Sequence, residues 1–185
     1  MPAQTRILLV SGSTRGGSTN TAALRTIQAV APEGVRAELY DGLAGLPAFN
    51  PDDDGDGGAV PAPVAGLRGQ ISAADAVVFC TPEYAGTLPG SFKNLLDWTV
   101  GGGELYGKPV AWINVAQQGR GAGAQATLVT VLGYVGATVV ESACRRLPVP
   151  RDWVGPGGVI TDPAFRGAMA DALAVLTAGL ATSPA

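Results

Sequence analysis

The chain has 185 residues, 46% of them hydrophobic and 15% charged, with a formal net charge of −3 and no histidine. Length and composition predict a single domain over 1–185 with a sizeable core, and exclude a disordered chain. The acidic balance argues against nucleic acid as the main partner, and the lack of histidine removes Ser-His-Asp triads, Cys-His nucleophiles and histidine-ligated metal sites.

The opening "MPAQTR" leads straight into a short apolar run, without a secretory signal or a membrane-length segment. The expectation is a cytoplasmic protein off the membrane. Residues 6–11, "RILLVS", read as a central parallel strand, apolar throughout. Leu24, Ile27, Val30 and Ala31 then recur at helical spacing, and Gly34 marks a stop. Residues 36–40, "RAELY", are a second short strand, followed by the loop "DGLAGLPAFNPDDDGDGG".

Val60, Val64, Leu67 and Ile71 form the next helix face. Residues 76–81, "AVVFCT", are the third strand. Phe92, Leu95, Leu96 and Thr99 place a helix after Pro89 and Gly90. Trp98 lies off that stripe and reads as a rim residue packing on its own chain or, with more weight, as a dimer contact. Residues 110–115, "VAWINV", are the fourth strand. A helix carrying Leu128, Val131, Leu132 and Val135 follows, with Gly136 as its C′ residue. Residues 138–140 start a fifth strand; Phe165, Met169, Leu173, Leu176 and Leu180 mark a last helix, and 181–185 is expected to fray.

Five strands with helical crossovers predict an α/β, doubly wound fold. The flavodoxin-like order 2-1-3-4-5, a five-stranded parallel sheet with helices on both faces, is the simplest arrangement and opens a ligand crevice beyond strands 1 and 3. Cys80 and Cys144 would sit on strands 3 and 5, about 9–10 Å apart at a strand spacing of ~4.8 Å. A disulfide needs Cα atoms within ~7 Å, so two free thiols are expected.

Three loops fall at the crevice. In 12–20, "GSTRGGSTN", Gly12, Gly17 and Thr19 match the P-loop pattern, but Ser18 stands where its lysine belongs. Strand 3 ends without a Walker-B aspartate, and Thr14 breaks the Rossmann spacing. A nucleoside triphosphate therefore fits poorly. What remains is a cradle for a lone phosphomonoester of the kind FMN carries, built from Ser13, Ser18, Thr19, Asn20, backbone amides and Arg15. The plainer alternative is a turn in which Ser18 or Thr19 caps the helix.

The second loop, "TPEYAGTLPG", is stiffened by Pro82 and Pro89 and offers amides and Tyr84 to a ring. The third, with Gln117, Gln118, Gly119, Arg120, Gly121 and Gly123, offers amides to developing negative charge or is an ordinary surface turn. "PDDDGDGG" matches part of a calcium loop from Asp52, but Pro63 stands where the bidentate glutamate belongs, so a solvated acidic loop is expected.

"VSGSTRGGSTN" followed by "TPEYAGTLPGSFKNLLDW" resembles the NADPH-dependent FMN reductase family of flavin, quinone and chromate reductases, from about residue 6 to 140. The "LPAFNPD" stretch matches as well. The resemblance implies bound FMN, NADPH or NADH as co-substrate, a small-molecule electron acceptor and a homodimer or homotetramer. It assigns the phosphate to Ser13, Arg15, Ser18, Thr19 and Asn20, and the ring to Pro82, Glu83, Tyr84 and Ala85, with Gln117, Gln118 and Gly119 at its far side. No side chain is assigned as catalytic, because the chemistry sits on the flavin. Many relatives carry Asn where Ala85 stands, so Ala85 offers only its amide. Two rival readings remain: an electron carrier without its own NAD(P)H activity, and a module that has lost its cofactor.

Overall fold

The computed structural model describes residues 4–54 and 60–181. Strands β1 (Thr5–Ser11), β2 (Val35–Tyr40), β3 (Ala76–Cys80) and β4 (Pro109–Asn114) lie parallel in the order β2-β1-β3-β4. Beyond β4 run two short pieces, β5 (Thr138–Val139) and β6 (Arg145–Arg146), both parallel to it. The sheet thus has the flavodoxin-like order 2-1-3-4-5.

The edge differs from the expected single fifth strand. β5 pairs with Pro109 and Val110, and β6 with Ile113 and Asn114. Between them a 3₁₀ turn, Glu141–Ala143, leaves the ladder, and Cys144 Sγ accepts from the Trp112 amide at 3.5 Å instead. An edge strand bonds on one side only, so an interruption there forfeits few hydrogen bonds.

Among the described residues five α-helices cover the two faces: α1 (Thr19–Val30), α2 (Ala62–Ala73), α3 (Gly90–Asp97), α4 (Ala122–Tyr134) and α5 (Pro163–Ala181). Successive strand side chains point to opposite faces. Ile7, Leu9, Val78 and Ile113 pack with Leu24 and Ile27 of α1 and with Met169 and Leu173 of α5. Leu8, Val10, Val77 and Phe79 pack with Leu67 of α2, Phe92 and Leu95 of α3, and Leu128 of α4. Both faces are covered, which is why the central strands read as unbroken apolar runs.

The helix faces follow the spacing. Val64, Leu67 and Ile71 of α2 are buried, and Val60 precedes the helix. α4 ends in a Schellman motif: Gly136, at φ 70°, donates to Gly133 O, and the Ala137 amide donates to Leu132 O. α5 starts with Asp162 Oδ1 accepting from the Phe165 amide at 2.7 Å.

Two expectations are corrected. Trp98 is not at a rim or a dimer contact; it is fully buried within its own chain. The loop after β2 folds back over it. The indole donates to Pro47 O at 2.9 Å, and Phe49 packs edge-on, with ring centroids 4.9 Å apart. Nor is the acidic loop wholly solvated. The Asp54 side chain is buried, 6% exposed, and its Oδ1 pairs with the Arg68 guanidinium at 2.5 Å. Arg68 also donates to Trp98 O and lies 3.5 Å from Glu104 Oε1, which ties loop, α2 and the end of α3 together.

Both cysteines are free thiols, as expected. Asp56 and Gly57 of the acidic loop lie outside the described residues, as does the frayed-tail expectation apart from Ala181, which ends α5. No described helix is long and apolar enough to cross a membrane.

Candidate functional site

Parallel pairing brings the carboxyl ends of β1, β3 and β4 to one edge, with Ser11 opposite Cys80 and Cys80 opposite Ile113. The loop after β1 leaves the sheet through Gly12, whose amide donates to Cys80 O at 2.9 Å. A Cβ there would lie 2.2 Å from Thr81 Oγ1 and 2.9 Å from Phe92 Cγ, so only glycine passes. Ser11 and Thr21 hydroxyls bond at 2.8 Å across the loop. The Ser13 amide donates to Ser11 Oγ, and the Arg15 amide to Ser13 Oγ, each at 3.3 Å.

Ser18 occupies the N-cap position of α1 with extended backbone, but its hydroxyl makes no capping bond. No acidic residue enters the first turn. The plain capped turn is therefore not what forms with Ser18. The first-turn amides keep their dipole and their hydrogen-bonding capacity. Ser18 and Asn20 are buried beside them, and Asn20 Oδ1 accepts from the Cys80 thiol at 3.4 Å. Burial pushes the Cys80 thiol well above its ordinary pKa, so it stays protonated. Arg15 is exposed and makes no ion pair among the described residues.

The loop after β3 closes on a tight hairpin. Tyr84 and Thr87 exchange backbone bonds at 3.0 and 3.1 Å around Ala85 at φ 50° and Gly86 at φ 78°. Positive φ at both central residues is the type I′ geometry. Glu83 Oε2 accepts from the Gly123 and Ala124 amides at 2.7 and 3.1 Å. Its carboxylate thus occupies the N-terminus of α4 and pins the ring loop there. A Cβ on Gly123 would come 2.0 Å from Gly86 O, so the two segments meet backbone to backbone. Tyr84 is 53% exposed, available as a flat surface.

The loop after β4 is held by Asn114, which sequence reading missed. Its Nδ2 donates to Gly121 O and Gln125 Oε1 at 3.1 and 3.0 Å, and its Oδ1 accepts from the Ala116 amide at 3.0 Å. Gln117 Nε2 donates to Val149 O at 2.9 Å, and the Arg120 amide donates to Gln117 O at 3.0 Å. The amides of Gln118 and Gly119 form no hydrogen bond among the described residues.

These loops surround a cleft of about 620 Å³, within the usual range for ligand sites. Of the residues picked from sequence, Thr19, Asn20, Pro82, Glu83 and Gln117 line it. Ser13, Arg15, Ser18, Tyr84, Ala85, Gln118 and Gly119 belong to the same loops but do not line its walls. Arg120 and the segment Val149, Pro150 and Arg151 line it and were not picked as site residues. The Val149 amide bonds Val115 O at 3.1 Å, which folds that segment alongside the end of β4. A polar residue closing an apolar strand was the signal for Asn114; nothing local marks Arg151.

A parallel sheet of order 2-1-3-4-5, with a lysine-free glycine- and hydroxyl-rich loop after its first strand and a cleft along its carboxyl edge, defines a flavodoxin-like protein. Within that class, the family model for NADPH-dependent FMN reductases matches residues 5–146, and the chain belongs to this family. It is 41% identical over 117 residues to an NAD(P)H-dependent FMN reductase of Pseudomonas aeruginosa, covering 62% of this chain and 61% of that one. It is 34% identical over 145 residues to a quinone reductase of Escherichia coli, covering 76% of each. Among solved structures, FerB, a flavoenzyme NAD(P)H:(acceptor) oxidoreductase from Paracoccus denitrificans, superposes with a TM-score of 0.78 at 27% identity, over 94% of this chain and 96% of that one. The azoreductase AzrA, at 19% identity and a TM-score of 0.58, over 94% of this chain and all of that one, shows the shared fold.

Proposed function

We propose that the cleft holds FMN and that the chain is an NAD(P)H-dependent oxidoreductase, reducing a quinone, flavin, azo compound or metal oxyanion. The observation that carries this is the uncapped first turn of α1, which opens beside Thr19 and Asn20 into the cleft. When bound, FMN supplies hydride transfer from the nicotinamide to the acceptor. The chain's residues bind and orient.

Ser13, Ser18, Thr19 and Asn20 and the α1 amides receive the phosphomonoester, with Arg15 as its counter-charge. The amide of Ala85, without a hydrogen bond among the described residues, and the side chain of Tyr84 take one edge of the ring beside Pro82. Glu83 acts through the loop it fixes to α4. Since it occupies the Gly123 and Ala124 amides, the donors left for negative charge at the far edge include the amides of Gln118 and Gly119. A single domain, a cytoplasmic location and a homodimer or homotetramer belong to the same reading. Two free thiols fit a reducing compartment, and exposed Tyr106 and Tyr134, with Val129 on α4, fit a self-association face.

The test is titration of apoprotein with FMN and with riboflavin, followed by anaerobic addition of NADPH or NADH. The reading expects one FMN per chain, much weaker riboflavin binding, bleaching by a nicotinamide, and FMN affinity lowered by Arg15→Ala and Ser18→Ala. Bleaching only through a second protein would make the chain a carrier. Failure to take up FMN would make it a module without its cofactor.

A further inference from the structure

We infer that Arg120 and Arg151 bind the anionic part of the nicotinamide dinucleotide; this rests on the flavin reading above. The charged residues lining the cleft are Glu83, Arg120 and Arg151. The Glu83 carboxylate is satisfied by two amides of α4. Neither arginine side chain has an ion pair or a hydrogen bond among the described residues. Of the other arginines, Arg6 and Arg36 pair with Glu38, and Arg68 with Asp54 and Glu104, whereas Arg15, Arg25, Arg145, Arg146 and Arg166 form no ion pair among the described residues. Two unpaired guanidinium groups in one cleft leave a positive wall without a protein partner.

That wall is not the phosphomonoester cradle. The cradle follows β1, whereas Arg120 follows β4 and Arg151 follows β6, beyond β4. β3 lies between β1 and β4, which puts the two anion sites about 10 Å apart at ~4.8 Å per strand. FMN has one phosphate, and the cradle accounts for it. The co-substrate brings a pyrophosphate, and in NADPH a further 2′-phosphate. A planar guanidinium suits both, because it donates two parallel bonds to phosphate oxygens.

Both arginines also stand on fixed backbone. Arg120 closes the Gln117 turn, and its carbonyl accepts from Arg146 at 2.8 Å. Arg151 opens a 3₁₀ turn in which the Trp153 amide donates to Pro150 O at 3.2 Å. Little backbone ordering therefore remains to be lost on binding.

Calorimetric titration of the FMN-loaded protein with NADP⁺ and NAD⁺ tests the assignment, in wild type, Arg120→Gln, Arg151→Gln and the double variant. Each single change is expected to raise the NADP⁺ dissociation constant roughly 5- to 20-fold, and added salt to weaken the wild type toward the variants. A loss confined to NADP⁺ places the pair on the 2′-phosphate, and an equal loss for NAD⁺ places it on the pyrophosphate; both support the inference. Unchanged dinucleotide affinity overturns it, as does an effect seen only in the KM of a metal-oxyanion acceptor. A parallel titration of apoprotein follows FMN. If FMN affinity falls as far as that of NADP⁺, the arginines belong to the flavin and the inference fails. Protein that takes no FMN overturns the flavin reading instead, and the NADP⁺ titration still decides the arginines.

Discussion

Among the described residues, Ala85 alone of the non-glycines has a positive φ, at 50°. The left-handed region brings an L residue's Cβ against the next carbonyl, at about 1–2 kcal/mol. Ala85 is exposed, so its methyl group returns little packing energy. The turn holds it there: the two Tyr84–Thr87 backbone bonds and Gly86 at φ 78° close only with both central residues left-handed. Ala85→Gly removes the clash but frees the unfolded chain, at about 0.4–1 kcal/mol. The net expectation is a gain of about 0.5 kcal/mol. Ala85→Asn tolerates the same region without that entropy cost and should gain about 1 kcal/mol. Gly86→Ala should lose about 1–2 kcal/mol. Urea unfolding of the apoprotein keeps ligand linkage out of the comparison. The midpoint should shift at constant m-value. Ala85→Asn and Ala85→Gly that both destabilise, with a harmless Gly86→Ala, would refute the assigned hairpin.

Trp98→Ala should cost about 3–5 kcal/mol, since it empties a fully buried site. Trp98→Phe, losing the bond to Pro47 O, should cost about 1–2 kcal/mol; both are read by chemical denaturation. Glu83→Ala leaves the Gly123 and Ala124 amides without their acceptor and should lower stability by about 1–2 kcal/mol, with an accompanying fall in FMN affinity by fluorescence titration. Burial pushes the Cys144 thiol up from its ordinary 9.0 to about 11, and the Cys80 thiol is pushed up as well. At pH 8 Cys144 should react with Ellman's reagent roughly a hundredfold more slowly in native than in denatured protein, and the fully buried Cys80 more slowly still. The folded Cys144 pKa is raised, so its stabilising contribution is complete below pH 9.0 and is lost as pH climbs through about 11, visible as a falling melting temperature.

The sequence alone determined what is settled over a few residues. Apolar runs such as 76–80 announced strands covered on both faces, and spacings of three and four placed Leu67, Ile71, Leu95 and Met169 inward. Gly136 ended α4 because a left-handed residue is needed there. The glycines and hydroxyls of 12–20 marked a strand-to-helix turn at the cleft because the helix start is local.

The tertiary structure decided the pairings between distant segments. Trp98 and Pro47 stand 51 residues apart, and Glu83 and Gly123 stand 40 apart. Trp98 lies off its helix's apolar stripe, yet the loop after β2 buries it. Asp54 resembles any loop aspartate until Arg68 arrives from α2. Arg151 entered the cleft only because the Val149 amide bonds Val115 beside β4. Periodicity records which way a side chain faces along its own element. What it meets there depends on how the sheet and its crossovers bring remote segments together, and no local pattern encodes that.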